Sequence, residues 1–204
     1  MFPFPIDFKI LATILSLVLG VVSYIPYIRS MVRRQTTPHP YTWLIWSITT
    51  GTAAVGGWYG GGGNGVALLF LWAFSTFCIF LLSFKYGTKN ITKGDVALLV
   101  LALLAILVWW QLNAPLFSIL MVTAIDAFGY IPTIRKVFEE PWSEPLVSWF
   151  LFTATACIGL IALAQYNFLT VVYLAMGATL NSIVIIICLF RRRNIPKPVS
   201  SNLR

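Results

Sequence analysis

Charge is scarce in this chain. Only 10% of its 204 residues are Asp, Glu, Lys or Arg, against about a quarter in an ordinary soluble domain, and 59% are hydrophobic. That shortage excludes a water-soluble globular fold. Histidine is nearly missing as well: His39, set between Pro38 and Pro40, is the only one. As a metal ligand it would lack partners, and the sequence offers no recognisable Ser/His or Cys/His catalytic motif around it. The three cysteines, Cys78, Cys157 and Cys188, each fall inside an apolar run without CxxC spacing. They predict neither a disulfide framework nor a thiolate metal site, and read as small packing residues. The glycine-rich stretch GGGGNG at 60–65 lies between apolar runs rather than at a strand-to-helix turn, so it is not a phosphate loop. The expectation is no enzyme, no cofactor and no metal. The opening MFPFPIDFK carries one Asp and one Lys and is followed by no small-residue cleavage site, so no removable signal peptide is expected.

What the chain does have is long apolar runs, near 10–28, 41–58, 66–84, 95–112, 114–134, 146–164 and 167–190. One span needs about 20 apolar residues, so the length holds seven with short connections and leaves nothing over for a second domain. The fold class predicted is an all-α membrane protein of seven transmembrane helices, residues 1–204 forming a single membrane domain.

Lys and Arg set the orientation. Arg29, Arg33 and Arg34 follow the first run, Lys85, Lys89 and Lys93 the third, Arg135 and Lys136 the fifth, and Arg191, Arg192, Arg193, Lys197 and Arg204 fill the tail. Only Lys9 falls on the opposite side. The formal net charge of +8 is thus a topology signal rather than a nucleic-acid surface. It predicts the N-terminus outside and the C-terminus, a frayed basic tail over 191–204, in the cytoplasm.

A near-copy recurs at an offset of 106 residues: YIPYIR at Tyr24–Arg29 returns as YIPTIR at Tyr130–Arg135. At the same offset Trp43 meets Trp149, Thr42 meets Ser148, Thr49 meets Thr155, and 75–84 runs beside 181–190 without a gap. Residues 8–84 and 114–190 are therefore two three-helix repeats. Three is odd, so parallel copies need one more crossing between them, and the run at 95–112, with VALLVLALLAILVWW free of polar residues, is the linker helix. Such a 3+1+3 arrangement of parallel repeats is a known transporter architecture.

With a proline near the inner end of the first helix of each repeat, a basic residue soon after and the N-terminus outside, the chain resembles the PQ-loop repeat proteins. That superfamily includes the SWEET sugar transporters, with their 3+1+3 helices, and lysosomal amino-acid exporters. The name-giving glutamine is replaced by Tyr27 in the first copy and Thr133 in the second. Nicotinamide riboside carriers have a similar helix arrangement, so the substrate class does not follow from the fold. The resemblance implies that Pro26 and Pro132 act as paired hinges. Each lacks a backbone donor and loosens its helix locally, although prolines near helix ends also simply shape the exit. It further implies an asparagine on the third helix of each repeat: Asn181 matches, while Ser75 stands at the corresponding place in the first.

Asp126 is the only ionisable side chain deep in an apolar run. It lies about 13 Å along the helix from Arg135, near the midplane, where a carboxylate costs on the order of 3 kcal/mol to insert. It should face the bundle interior, with Thr123 and Tyr130 on the same helical face. No basic residue lies at matching depth, so Asp126 reads as a proton-binding group or as a hydrogen-bonded tie to a neighbouring helix. Asn181 reads as a substrate contact or as interhelical glue. Thr49 and Thr155 would complete a polar lining, or bond their own helices. Tyr24 and Tyr130 would narrow the inner end. Trp43 and Trp149 read as membrane-interface anchors, and Gly60 to Gly63 as a flexible outer turn.

Together these residues predict a carrier that moves a small polar solute, neutral or cationic, by alternating access through a central site, with a proton coupled through Asp126. The second reading is a receptor or scaffold, because the KDEL receptor has a similar seven-helix arrangement and binds peptides without transport. The partners expected are the solute, a proton and the lipid bilayer, with no nucleic acid and with room for a homo-oligomer. The absence of a long glycosylated loop or a sorting tail favours a bacterial cytoplasmic membrane.

Overall fold

The computed structural model describes residues 6–36, 38–87, 93–112, 115–142 and 144–196. Among these the chain is helical throughout, in seven α-helices. They are α1 Ile6–Val32, α2 Pro40–Tyr59, α3 Ala67–Tyr86, α4 Lys93–Leu112, α5 Pro115–Glu139, α6 Leu146–Ala162 and α7 Phe168–Asn194, with a 3-10 turn over Gly63–Val66 leading into α3.

Local chemistry explains where the helices begin. Pro40 occupies the first turn of α2 after an extended His39, where its missing N–H costs nothing. Pro145, also extended, precedes α6. At α7, Asn167 accepts from the Thr170 amide at 3.2 Å while the Thr170 hydroxyl accepts from the Asn167 amide at 3.0 Å, a reciprocal cap. The far end of α7 departs from expectation, since the helix runs through Arg191, Arg192 and Arg193 to Asn194 instead of fraying after Phe190. Cations in a last turn complement the helix dipole, and these side chains are also tied down. Arg191 Nε donates to the Phe138 carbonyl at 2.7 Å and Arg192 Nε to that of Pro141 at 2.9 Å. The remainder of the basic tail, 197–204, lies outside the described residues.

The packing repeats itself. α3 lies between α1 and α2, and α7 lies between α5 and α6 in the same way. The two triplets meet through α1 against α6 and α2 against α5, while α4 rests on α5 and α2. Much of α4 is exposed, including Val96, Val100, Leu104 and Leu107, as expected of a linker facing apolar surroundings.

Among the described residues three helices, over Phe8–Val32, Gly63–Tyr86 and Phe168–Asn194, are long and apolar enough to cross a membrane. The 27 residues of α7 extend about 40 Å at 1.5 Å per residue, more than a hydrocarbon core of about 30 Å requires. Their outer faces are apolar: Leu11, Ile14, Val18 and Ile25 on α1, Phe74 and Phe84 on α3, and Ile186 and Phe190 on α7 are all exposed. Apolar surface on this scale points to lipid as the surrounding medium. Several hydroxyls within the helices bond carbonyls of their own helix, for example Ser16 on the Thr13 carbonyl at 2.8 Å and Ser23 on that of Gly20 at 2.7 Å.

Candidate functional site

A cavity of about 240 Å³ lies between the two triplets. Six of the helices, α1 to α3 and α5 to α7, contribute to its wall, and no described side chain of α4 does. It extends from mid-helix to the α1–α2 and α5–α6 loops, where Thr36, His39 and Glu144 line it.

At its inner wall stands Asp126, 6% exposed. Thr49 on α2 donates to its Oδ1 at 2.7 Å and Tyr173 on α7 donates to the same oxygen at 2.8 Å. Each charge-assisted bond contributes about 1.5–3 kcal/mol, which offsets part of the cost of burying the carboxylate. Tyr173 is itself held by Thr50 at 2.8 Å, an arrangement in which its oxygen accepts while its proton goes to the carboxylate. Thr49 has one proton and also lies 3.0 Å from the Ile45 carbonyl, so its hydroxyl serves either Asp126 or its own helix. Both bonds fall on Oδ1. No hydrogen bond within the described residues reaches Oδ2, and Asp126 lines the cavity.

Around this carboxylate the wall is aromatic. Ring centroids follow one another from Tyr27 to Trp43 at 5.0 Å, to Trp46 at 5.2 Å, to Tyr130 at 5.8 Å, to Trp149 at 6.1 Å, to Phe152 at 6.3 Å and to Tyr24 at 5.1 Å. The order obeys the 106-residue repeat: Trp43, Trp46 and Tyr130 form one half, and Trp149, Phe152 and Tyr24 are their counterparts. Every one of these rings lines the cavity. Gly129 is what lets Trp46 seat against α5, since a Cβ there would lie 2.7 Å from the indole nitrogen.

The opposite end, where α1 begins, is shut. Lys9 Nζ on α1 donates to the Leu163 carbonyl at 2.6 Å, and Asn167 Nδ2 donates to the Gly60 carbonyl at 2.6 Å. The Ala164 amide donates to the Gly62 carbonyl at 2.9 Å. These bonds cross from the first triplet to the second. The glycine run, expected as a flexible turn, is instead a packed clasp. Gly63 has φ of 59°, which a side chain rarely adopts, and a Cβ on Gly65 would meet the backbone of Ala162 and Leu163 at 2.7 Å. Backbone against backbone leaves no room for anything but hydrogen there.

The structure sorts the residues singled out from sequence. Asp126, Tyr24, Tyr130 and Asn181 all line the cavity, and Tyr130 donates to Asn181 Oδ1 at 2.8 Å. Thr49 lies behind that surface, fully buried, and acts through Asp126; its neighbour Thr50 lines the wall. Thr155 is fully buried outside the lining and donates to the Leu151 carbonyl of its own helix at 2.6 Å. Ser75 is half-buried and outside the lining as well, and Thr76 takes the cavity-facing place on α3. In each of these cases the helix is rotated so that the adjacent residue, or none, faces inward. Trp43 and Trp149, expected at the membrane interface, are buried in the cavity wall because the triplets bring both into the aromatic ring. Thr123 is buried beside Asp126 with its hydroxyl unpartnered. Pro26 lies half-buried inside α1, whereas the side chain of Pro132 lies outside what is described.

Besides Thr50 and Thr76, other contributors went unread in the sequence. Trp46 and Phe152 are paired by the same offset as the residues that were noticed, so the repeat did carry that signal. Tyr173 and Glu144 had none: Tyr173 matches Ala67 in the first repeat, and Glu144 sits in a short loop. In the structure Glu144 is buried and accepts from Trp149 Nε1 at 3.2 Å. No protein-family model, curated protein or solved structure matches the chain.

Proposed function

We propose that the protein is a small-solute carrier of the PQ-loop, SWEET-like kind: seven spans in a 3+1+3 parallel repeat, N-terminus outside, working by alternating access. The observation that carries this reading is the cavity holding Asp126 between two similarly packed triplets, shut at one end and reaching the loops at the other. Positive-inside charge makes the shut end the outer one and the basic loops cytoplasmic. The conformation is then one in which the site faces inward. Rocking of one triplet against the other breaks the clasp between the glycine turn and the α6–α7 turn and closes the loop end, with Pro26 and Pro132 as flex points. We place proton coupling at Asp126, which lines the site and whose Oδ2 accepts no hydrogen bond among the described residues, while Thr49 switches its proton between the carboxylate and Ile45.

The test is uptake into proteoliposomes across a panel of small metabolites at two pH values, for wild type and Asp126→Asn. Flux whose pH dependence disappears in the variant supports coupling at this residue. Absence of flux for every solute, together with specific capture of a protein partner, replaces the carrier by a receptor of similar architecture.

A further inference from the structure

The wall around Asp126 discriminates among solute classes. Two carboxylates, Asp126 and Glu144, line the cavity, and no lysine or arginine among the described residues does so, which disfavours an anion. The described residues contain no group of three His, Cys, Asp or Glu side chains placed to hold a metal, so a bare metal ion would lack a ligand set. A sugar or other polyol needs several open hydrogen-bonding partners. Here three hydroxyls of the wall are already committed, Tyr130 to Asn181 at 2.8 Å, Thr50 to Tyr173 at 2.8 Å and Thr76 to the Trp72 carbonyl at 2.9 Å, and the unpartnered Trp46 Nε1, Trp72 Nε1 and Ser148 Oγ are buried within the wall.

What the wall presents in quantity is aromatic rings. Successive rings are turned 42° to 83° from one another, so they wrap the space instead of stacking into a slab. An aromatic enclosure with a negative group at one side is the arrangement that binds ammonium and other onium ions. The ring quadrupoles attract the diffuse positive charge and the apolar surface accepts its alkyl groups. At about 240 Å³ the cavity is below the roughly 300–1,000 Å³ of pockets that take drug-sized molecules, which sets a metabolite-sized limit.

We propose that the solute is a small organic cation, an ammonium or similar onium group on a compact apolar body, held between Trp46, Tyr130 and Trp149 with Asp126 as counter-ion. This deepens the carrier reading by naming its substrate class, and binding by itself does not require transport.

The experiment is isothermal titration calorimetry on the purified full chain in detergent, with choline, tetramethylammonium and the uncharged isostere of choline, 3,3-dimethylbutan-1-ol. Saturable binding of the cations is expected, with choline about tenfold or more tighter than the isostere. Trp46→Leu should weaken choline about tenfold while Trp46→Phe, which keeps a ring and reports on folding, retains most of the affinity. Equal binding of choline and its isostere, no saturable binding of either cation at millimolar concentration, or wild-type affinity in Trp46→Leu overturns the proposal. Cation binding without uptake sinks the carrier reading and leaves this one standing. Uptake of a neutral solute that choline does not inhibit does the reverse.

Discussion

Replacing Gly65 by alanine should open the shut end of the cavity. The new Cβ would lie 2.7 Å from the Ala162 carbonyl carbon and oxygen and from the Leu163 nitrogen, all backbone atoms that no rotamer change can move. Ordinary contact begins near 3.5 Å, so the two turns must part by roughly 0.8 Å. Overpacking of this kind costs about 1–3 kcal/mol. Only the state in which the turns are clasped bears that cost, so the equilibrium shifts toward the state open at this end by about 5- to 150-fold. The readout is the labelling rate of Thr76→Cys, on the cavity wall, by an impermeant maleimide added from the side on which α1 begins. Cys78, Cys157 and Cys188 are replaced by alanine in this background. Gly51→Ala is the control, because its Cβ would find Ala73 at a comfortable 3.8 Å and should leave labelling unchanged. Unchanged labelling in a Gly65→Ala protein that folds normally would refute the claim that this contact closes the site.

Thr49→Val removes one of two donors to the buried Asp126 oxygen while keeping shape, and should lower stability by about 1–3 kcal/mol, read as a reduced unfolding temperature in detergent. Gly177→Ala places a methyl in the cavity wall with nothing within 4 Å, so it should leave the unfolding temperature unchanged while weakening solute binding by calorimetry. Ser75→Ala, outside the lining, should leave both binding and uptake at wild-type levels; a large loss in either would restore the role first expected for it.

Apolar periods and charge asymmetry are properties of the chain as written, so the helices could be located from residue order alone. The repeat, read the same way, brought Tyr24, Tyr130, Trp43 and Trp149 to notice together. Asp126 was equally legible, because a carboxylate in the middle of an apolar run has few tolerable places to point. The face each helix turns inward was not legible. One residue along a helix is a rotation of about 100°, and the choice between Thr49 and Thr50, or between Ser75 and Thr76, depends on how whole helices pack rather than on either residue's chemistry. The glycine run shows the same dependence. Read alone it is a slack connection, yet the end of α6 and the turn after it, about a hundred residues away, press against it and leave no room for a Cβ at Gly63 or Gly65.

What residue order determined, then, was membrane residence, the likeness of the two halves and the one carboxylate that apolar surroundings would not accept unpartnered. Tertiary structure decided the aromatic enclosure around it, the recruitment of Tyr173 and Glu144, and which end of the cavity is sealed. Those features are relations between segments distant in the chain, and only packing brings such segments within the few ångströms over which hydrogen bonds and ring contacts act.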